Sequence, residues 1–66
     1  MLHWYVCRET QDWRIEVVAE FDRLDGASRH LPPGLEYTIY NENELNSFTE
    51  NGWTVNYEHG AARSAH

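Results

Sequence analysis

The chain has 66 residues, with 11 acidic side chains against 5 basic ones, a formal net charge of −6 and one cysteine. Counting alone excludes a multidomain enzyme, a disulfide scaffold and a four-cysteine zinc module, and no apolar run approaches the ~20 residues of a membrane-spanning helix. Every basic residue is an arginine, and so strong a deficit of positive charge argues against direct binding to nucleic acid or to an anionic membrane, both of which require phosphates to be neutralised.

So short a chain needs large side chains to build a stable core. Three Trp, four Tyr and two Phe supply them, and each ring can bury ~150–250 Å². The composition therefore specifies a folded unit and not an acidic disordered tail. Met1 to Tyr5 lacks the basic-then-apolar pattern of a secretory signal, and the lone Cys7 suits a reducing interior, so a cytoplasmic location in a host cell is expected.

Leu2 to Arg8 is aromatic and β-branched with no turn former, which predicts a strand. Glu9 to Asp12 forms a polar connection. From Trp13 to Phe21 the pattern alternates, with Trp13, Ile15, Val17, Ala19 and Phe21 on one face and Arg14, Glu16, Val18, Glu20 and Asp22 on the other. The first two strands therefore form an antiparallel hairpin. Arg23 to Gly34 contains the turn signals Asp25-Gly26 and Pro32-Pro33-Gly34, leaving open either a long loop or an extra strand over Ala27 to Leu31.

Leu35 to Tyr40 predicts a further strand, with Leu35, Tyr37 and Ile39 on one face and Glu36, Thr38 and Tyr40 on the other. Asn41 then reads as a helix N-cap with Glu44 completing a capping box, Leu45 and Phe48 fall on one helical face, and Asn51-Gly52 stops the helix after about ten residues. A hairpin turn at Asn51-Gly52 is the alternative; the scarcity of β-branched residues before it favours the helix. Trp53 to Glu58 alternates as a last strand. The expected fold is α+β: a small, mainly antiparallel sheet of four or five strands with one short helix on one face, forming a single domain over residues 1–59 with a flexible tail at 60–66. One helix leaves the second sheet face open, and about twelve residues between the last two strands allow them to be parallel or antiparallel.

Catalytic chemistry has little support. A nucleophile would be Cys7 with His3, His30, His59 or His66, but His3 and Cys7 are two same-face steps apart on a strand, beyond contact. No close pair of metal ligands occurs, and neither a cofactor nor a metal is expected. The charge is more informative. Residues 36–58 carry Glu36, Glu42, Glu44, Glu50 and Glu58 and no basic residue, a local charge of −5, whereas residues 1–35 sum to −2. Glu16, Glu20 and Asp22 are expected in a row on the solvent face of the second strand, beside the helix start with Glu42 and Glu44. Regularly spaced carboxylates can present anions as a nucleic-acid backbone does. Trp4, Trp13, Trp53, Tyr37, Tyr57, Phe21 and Phe48 are expected in the core with Ile15, Val17, Ile39, Leu45 and Val55. Tyr5 and Tyr40 are left over, and Tyr40 within the acidic rim is a candidate anchor.

In size, α+β reading, lack of lysine and the acid-only stretch from Glu36 to Glu58, the chain resembles the small acidic inhibitors of phages and mobile elements, including anti-CRISPR proteins and other DNA mimics. The resemblance implies a non-enzymatic role: occupying the basic nucleic-acid-binding site of a host defence complex, such as a CRISPR effector subunit, as a monomer or homodimer. The expected partner-binding residues are Glu16, Glu20, Asp22, Glu36, Glu42, Glu44, Glu50, Glu58 and Tyr40. The alternative is an adaptor that dimerises or docks through an open aromatic sheet face.

Overall fold

A computed structural model describes residues 2–58; the expected tail at 60–66, with His59 and His66, lies outside the described residues. The predicted hairpin forms from β1 (Trp4–Glu9) and β2 (Arg14–Phe21), paired antiparallel with Trp4 opposite Phe21 and Glu9 opposite Ile15. The short helix α1 (Leu24–Arg29) follows, then β3 (Tyr37–Asn41), α2 (Glu42–Glu50) and β4 (Thr54–Tyr57). The sheet order is β3-β1-β2-β4, antiparallel at β1/β3 and β1/β2 and parallel at β2/β4. The fold is thus α+β with a four-stranded mixed sheet. β3 and β4 run in the same direction on opposite edges, so α2 crosses one face over the two central strands.

The strict alternation expected along β2 is broken by a bulge. Val6 pairs with Ala19 and Cys7 with Val17, which leaves Val18 without an opposite residue. An extra residue reverses the facing of everything after it. Ile15 and Val17 therefore face α2, whereas Ala19 and Phe21 turn to the other side and Glu20 turns toward α2. The main core is Cys7, Ile15, Val17 and Leu45, with Tyr5, Tyr40, Phe48, Trp53 and Val55 packed against it. Tyr5 and Tyr40 thus belong to the core margin under α2, while Trp13, expected inside, is 66% exposed.

Ala27 to Leu31 forms no strand; residues from Leu24 to Arg29 are helical. The helix is six residues long and has no side-chain cap at Arg23, so little in its sequence announces it. Packing holds it: Ala27 is fully buried, Gly26 lies against the Phe21 ring, and His30 stacks on that ring at 5.1 Å. α1 therefore covers part of the face that was expected to be open, on the side of Phe21 and β1.

α2 has both of its predicted ends. Asn41 Oδ1 accepts from the Glu44 N–H at 2.8 Å, and Glu44 Oε1 accepts from the Asn41 N–H at 2.9 Å. At the other end Gly52 takes a φ of +93°. The Trp53 N–H bonds Phe48 O at 2.9 Å and the Gly52 N–H bonds Thr49 O at 3.1 Å, the paired bonds of a Schellman ending. The apolar contact that accompanies such an ending is also present, with the Trp53 and Phe48 rings 5.1 Å apart.

Candidate functional site

Because α2 runs opposite to β3 and β4, its two ends sit at opposite ends of the sheet. Its N-terminus lies with the start of β1 and the finish of β2. Two carboxylates there, Glu20 and Glu42, turn inward, and a third, Glu44, lies exposed on the helix cap. The Glu20 side chain is only 5% exposed; His3 Nδ1 lies 2.7 Å from its Oε2, within ion-pair range but off the line of a hydrogen bond. The Tyr5 hydroxyl donates to the same Oε2 at 3.5 Å. Glu42 Oε1 accepts from the His3 N–H at 3.1 Å, and Glu44 is held in the capping box. Burial, and then the Glu20 charge, push the Tyr5 hydroxyl up to about 12. Tyr57, edge-on to Tyr5 at 6.0 Å, is raised as well, chiefly by burial.

The C-terminus of α2 lies with the hairpin loop and the start of β4, and there the surface is aromatic. Trp13 meets Trp53 at 5.0 Å, Trp53 meets Phe48 at 5.1 Å and Phe48 meets Tyr40 at 4.9 Å, all edge to face. Trp13 holds a φ of +65°, in the left-handed region that costs a bulky residue ~1–2 kcal/mol. The loop clamps it there: Thr10 donates its N–H to Arg14 O at 3.0 Å, and its hydroxyl bonds Asp12. That hydroxyl is the main cause that lowers the Asp12 carboxyl below its ordinary range. Tyr40 donates its hydroxyl to Glu9; burial, and then this bond, raise the phenol strongly. Beside this row Tyr40, Glu44, Ser47, Phe48 and Asn51 line a groove of about 250 Å³.

The expected row of Glu16, Glu20 and Asp22 does not exist, because the Val18 bulge splits it. Glu16 faces away from α2 and pairs with Arg8, Glu20 is enclosed as described, and Asp22 is exposed beyond the end of β2. Glu36 is exposed just before β3, its carboxylate folded over Gly34, where an added Cβ would come within 2.8 Å of Oε1. Glu50 and Glu58 are exposed at the ends of α2 and β4. Tyr40 is half-buried against Phe48, a wall of the groove and not a free anchor. Sequence reasoning missed Glu9, Ser47, Asn51 and the exposure of Trp13. The one available signal was loop length, since hairpin loops of three to five residues commonly end on a left-handed residue.

The arginines are distributed in an informative way. Arg8 pairs with Glu16, Arg14 with Asp12 at 3.3 Å, and Arg29 with Asp25 at 4.0 Å. Each neutralises an acid from residues 1–35; among the described residues Arg23 forms no ion pair and no arginine pairs with an acid of residues 36–58, although Arg8, paired with Glu16, also feels the charge of Glu58. Cys7 is fully buried and its thiol is pushed up to about 12 by burial and then by Glu9, so it offers no thiolate at neutral pH. No group of three or more metal-ligating side chains occurs among the described residues, and no described helix is long and apolar enough to cross a membrane. No family model, curated protein or solved structure matches this chain.

Proposed function

We propose that the protein is a non-enzymatic inhibitor whose acidic surface occupies the basic nucleic-acid-binding site of another protein or complex, with a CRISPR effector subunit as the kind of target its class resemblance suggests. One observation carries this reading: among the described residues every arginine ion pair takes its acid from residues 1–35, while Glu36 and Glu50 stand exposed with no ion pair and Glu58, also exposed, meets only the longer-range charge of Arg8. A surface serving solubility alone would mix signs. Carboxylates left in this state attract a phosphate-binding groove and give fast, salt-sensitive association.

Glu36, Glu50 and Glu58 are better test positions than Glu42 and Glu44, which hold His3 and the α2 cap. The immobilised protein is used to retain partners from a bacterial lysate at low salt, followed by a duplex-DNA wash. The expected result is retention of nucleic-acid-binding proteins that DNA displaces and that the Glu36→Lys/Glu50→Lys/Glu58→Lys variant fails to retain. Retention that neither DNA nor charge reversal disturbs would contradict the proposal. It would favour the second reading, an adaptor docking through aromatic surface, for which exposed Trp13 is the supporting observation; such docking persists at high salt because apolar burial is not screened.

A further inference from the structure

The groove beside α2 has chemistry that selects its occupant. Tyr40 and Phe48 stand at 71° to one another and form an aromatic corner, which Glu44, Ser47 and Asn51 complete. At about 250 Å³ the groove falls below the ~300–1,000 Å³ typical of small-molecule sites, a size suited to one side chain. The one charged residue lining it, Glu44, is acidic. Glu44 spends Oε1 on the Asn41 N–H and keeps its second oxygen, while Glu9 sits at the Tyr40 hydroxyl. α2 ends on Glu50 with no basic residue in its last turn, so the negative end of the helix lacks a compensating cation. Asn51 turns one amide N–H back onto Ser47 O at 2.8 Å, which leaves its side-chain oxygen as an acceptor.

An aromatic corner in a negative field attracts a cation. Between the two basic side chains, a planar and weakly hydrated guanidinium stacks on rings and accepts partial burial better than an ammonium does. We infer that the groove receives an arginine side chain of the basic partner, stacked against Tyr40 and Phe48 with its charge toward Glu44. The inference rests on the partner-binding reading above and adds the contact that fixes register within it. The exposed acids steer the encounter; the groove locks one residue.

The probe is a blocked Gly-Arg-Gly tripeptide, titrated into the isotopically labelled protein while amide resonances are followed. The groove amides of Glu44, Ser47, Phe48 and Asn51 should shift together at about millimolar peptide. The lysine tripeptide should act more weakly and the neutral citrulline tripeptide should leave them still. Glu44→Gln retains the capping box, because glutamine serves at that position, and should weaken binding about threefold or more. Ser47→Arg, which sets a guanidinium at the groove, should abolish the shifts without altering the rest of the spectrum. Equal shifts from the citrulline peptide, or still groove amides above millimolar arginine peptide, would overturn the inference. The retained partner separates the two claims. Loss with Glu36→Lys/Glu50→Lys/Glu58→Lys but full binding of Ser47→Arg rejects the groove and upholds the acidic surface. Peptide binding by the groove with a partner indifferent to the triple reversal does the opposite.

Discussion

At the N-terminus of α2 the carboxylates of Glu20 and Glu42 each meet a donor or a histidine from the start of β1, whereas at its C-terminus Glu50 stands exposed beside a helix end with no basic residue. Both ends carry acids, so composition does not distinguish them. What differs is whether the charge is already answered within the chain. Answered charge contributes to holding β1, β2 and α2 together; unanswered charge contributes little to stability and is available to a partner.

The perturbation with the largest expected effect removes what both ends share. Leu45 is buried against Cys7, Ile15 and Val17, and Leu45→Ala should cost ~2–5 kcal/mol. A core of this size supplies only ~3–5 kcal/mol in total, so chemical denaturation should show the variant largely unfolded before denaturant is added. Next comes the contrast between the ends. Glu20→Ala removes the partner of Tyr5 and His3 and should lower stability by ~1–3 kcal/mol, while Glu50→Ala should stay within ~0.5 kcal/mol of the parent. Equal effects at the two positions would erase the distinction.

Alkaline pH probes the answered end and the core beneath it. Tyr5 is raised from 10.0 to about 12 and Cys7 from 9.0 to about 12, so the folded chain holds these protons more tightly than the unfolded one. The resulting stability is complete below about pH 9 and is lost as pH rises through about 12. Tyrosinate absorbance from Tyr5, Tyr40 and Tyr57 should therefore appear together with unfolding above about pH 10, and ionisation of these three in a still-folded chain would contradict this account. A smaller effect is expected at Gly52, where alanine has space but the wrong backbone conformation; Gly52→Ala should cost about 1 kcal/mol in thermal or denaturant unfolding. The smallest is Glu50→Lys, which places a cation at a helix C-terminus and should raise stability by ~0.3–1 kcal/mol.

Much of α2 was legible because capping is local: Asn41 with Glu44, and Asn51-Gly52 with the Trp53–Phe48 contact, lie within a few residues of one another. The strands were legible from alternation for the same reason. What escaped was set by tertiary pairing. The Val18 bulge exists only because β1 offers one residue fewer than β2, and it dispersed the expected row of Glu16, Glu20 and Asp22. α1 has a glycine in its middle and no cap, so only Phe21 and the buried Ala27 explain it. The groove escaped because Tyr40, Ser47, Phe48 and Asn51 converge through the packing of α2 on β3, and the exposure of Trp13 depends on a loop conformation that its residue type does not announce.

The most direct test sets answered against unanswered carboxylates in one binding experiment. Affinity for the retained partner is measured at several salt concentrations for the parent, for Asp12→Asn/Asp25→Asn, which removes acids already paired with Arg14 and Arg29, and for Glu36→Lys/Glu50→Lys/Glu58→Lys. The account predicts parent-like affinity and salt slope for the first variant, and loss of binding for the second while it remains folded. Comparable losses in both, or none in the second, would contradict it.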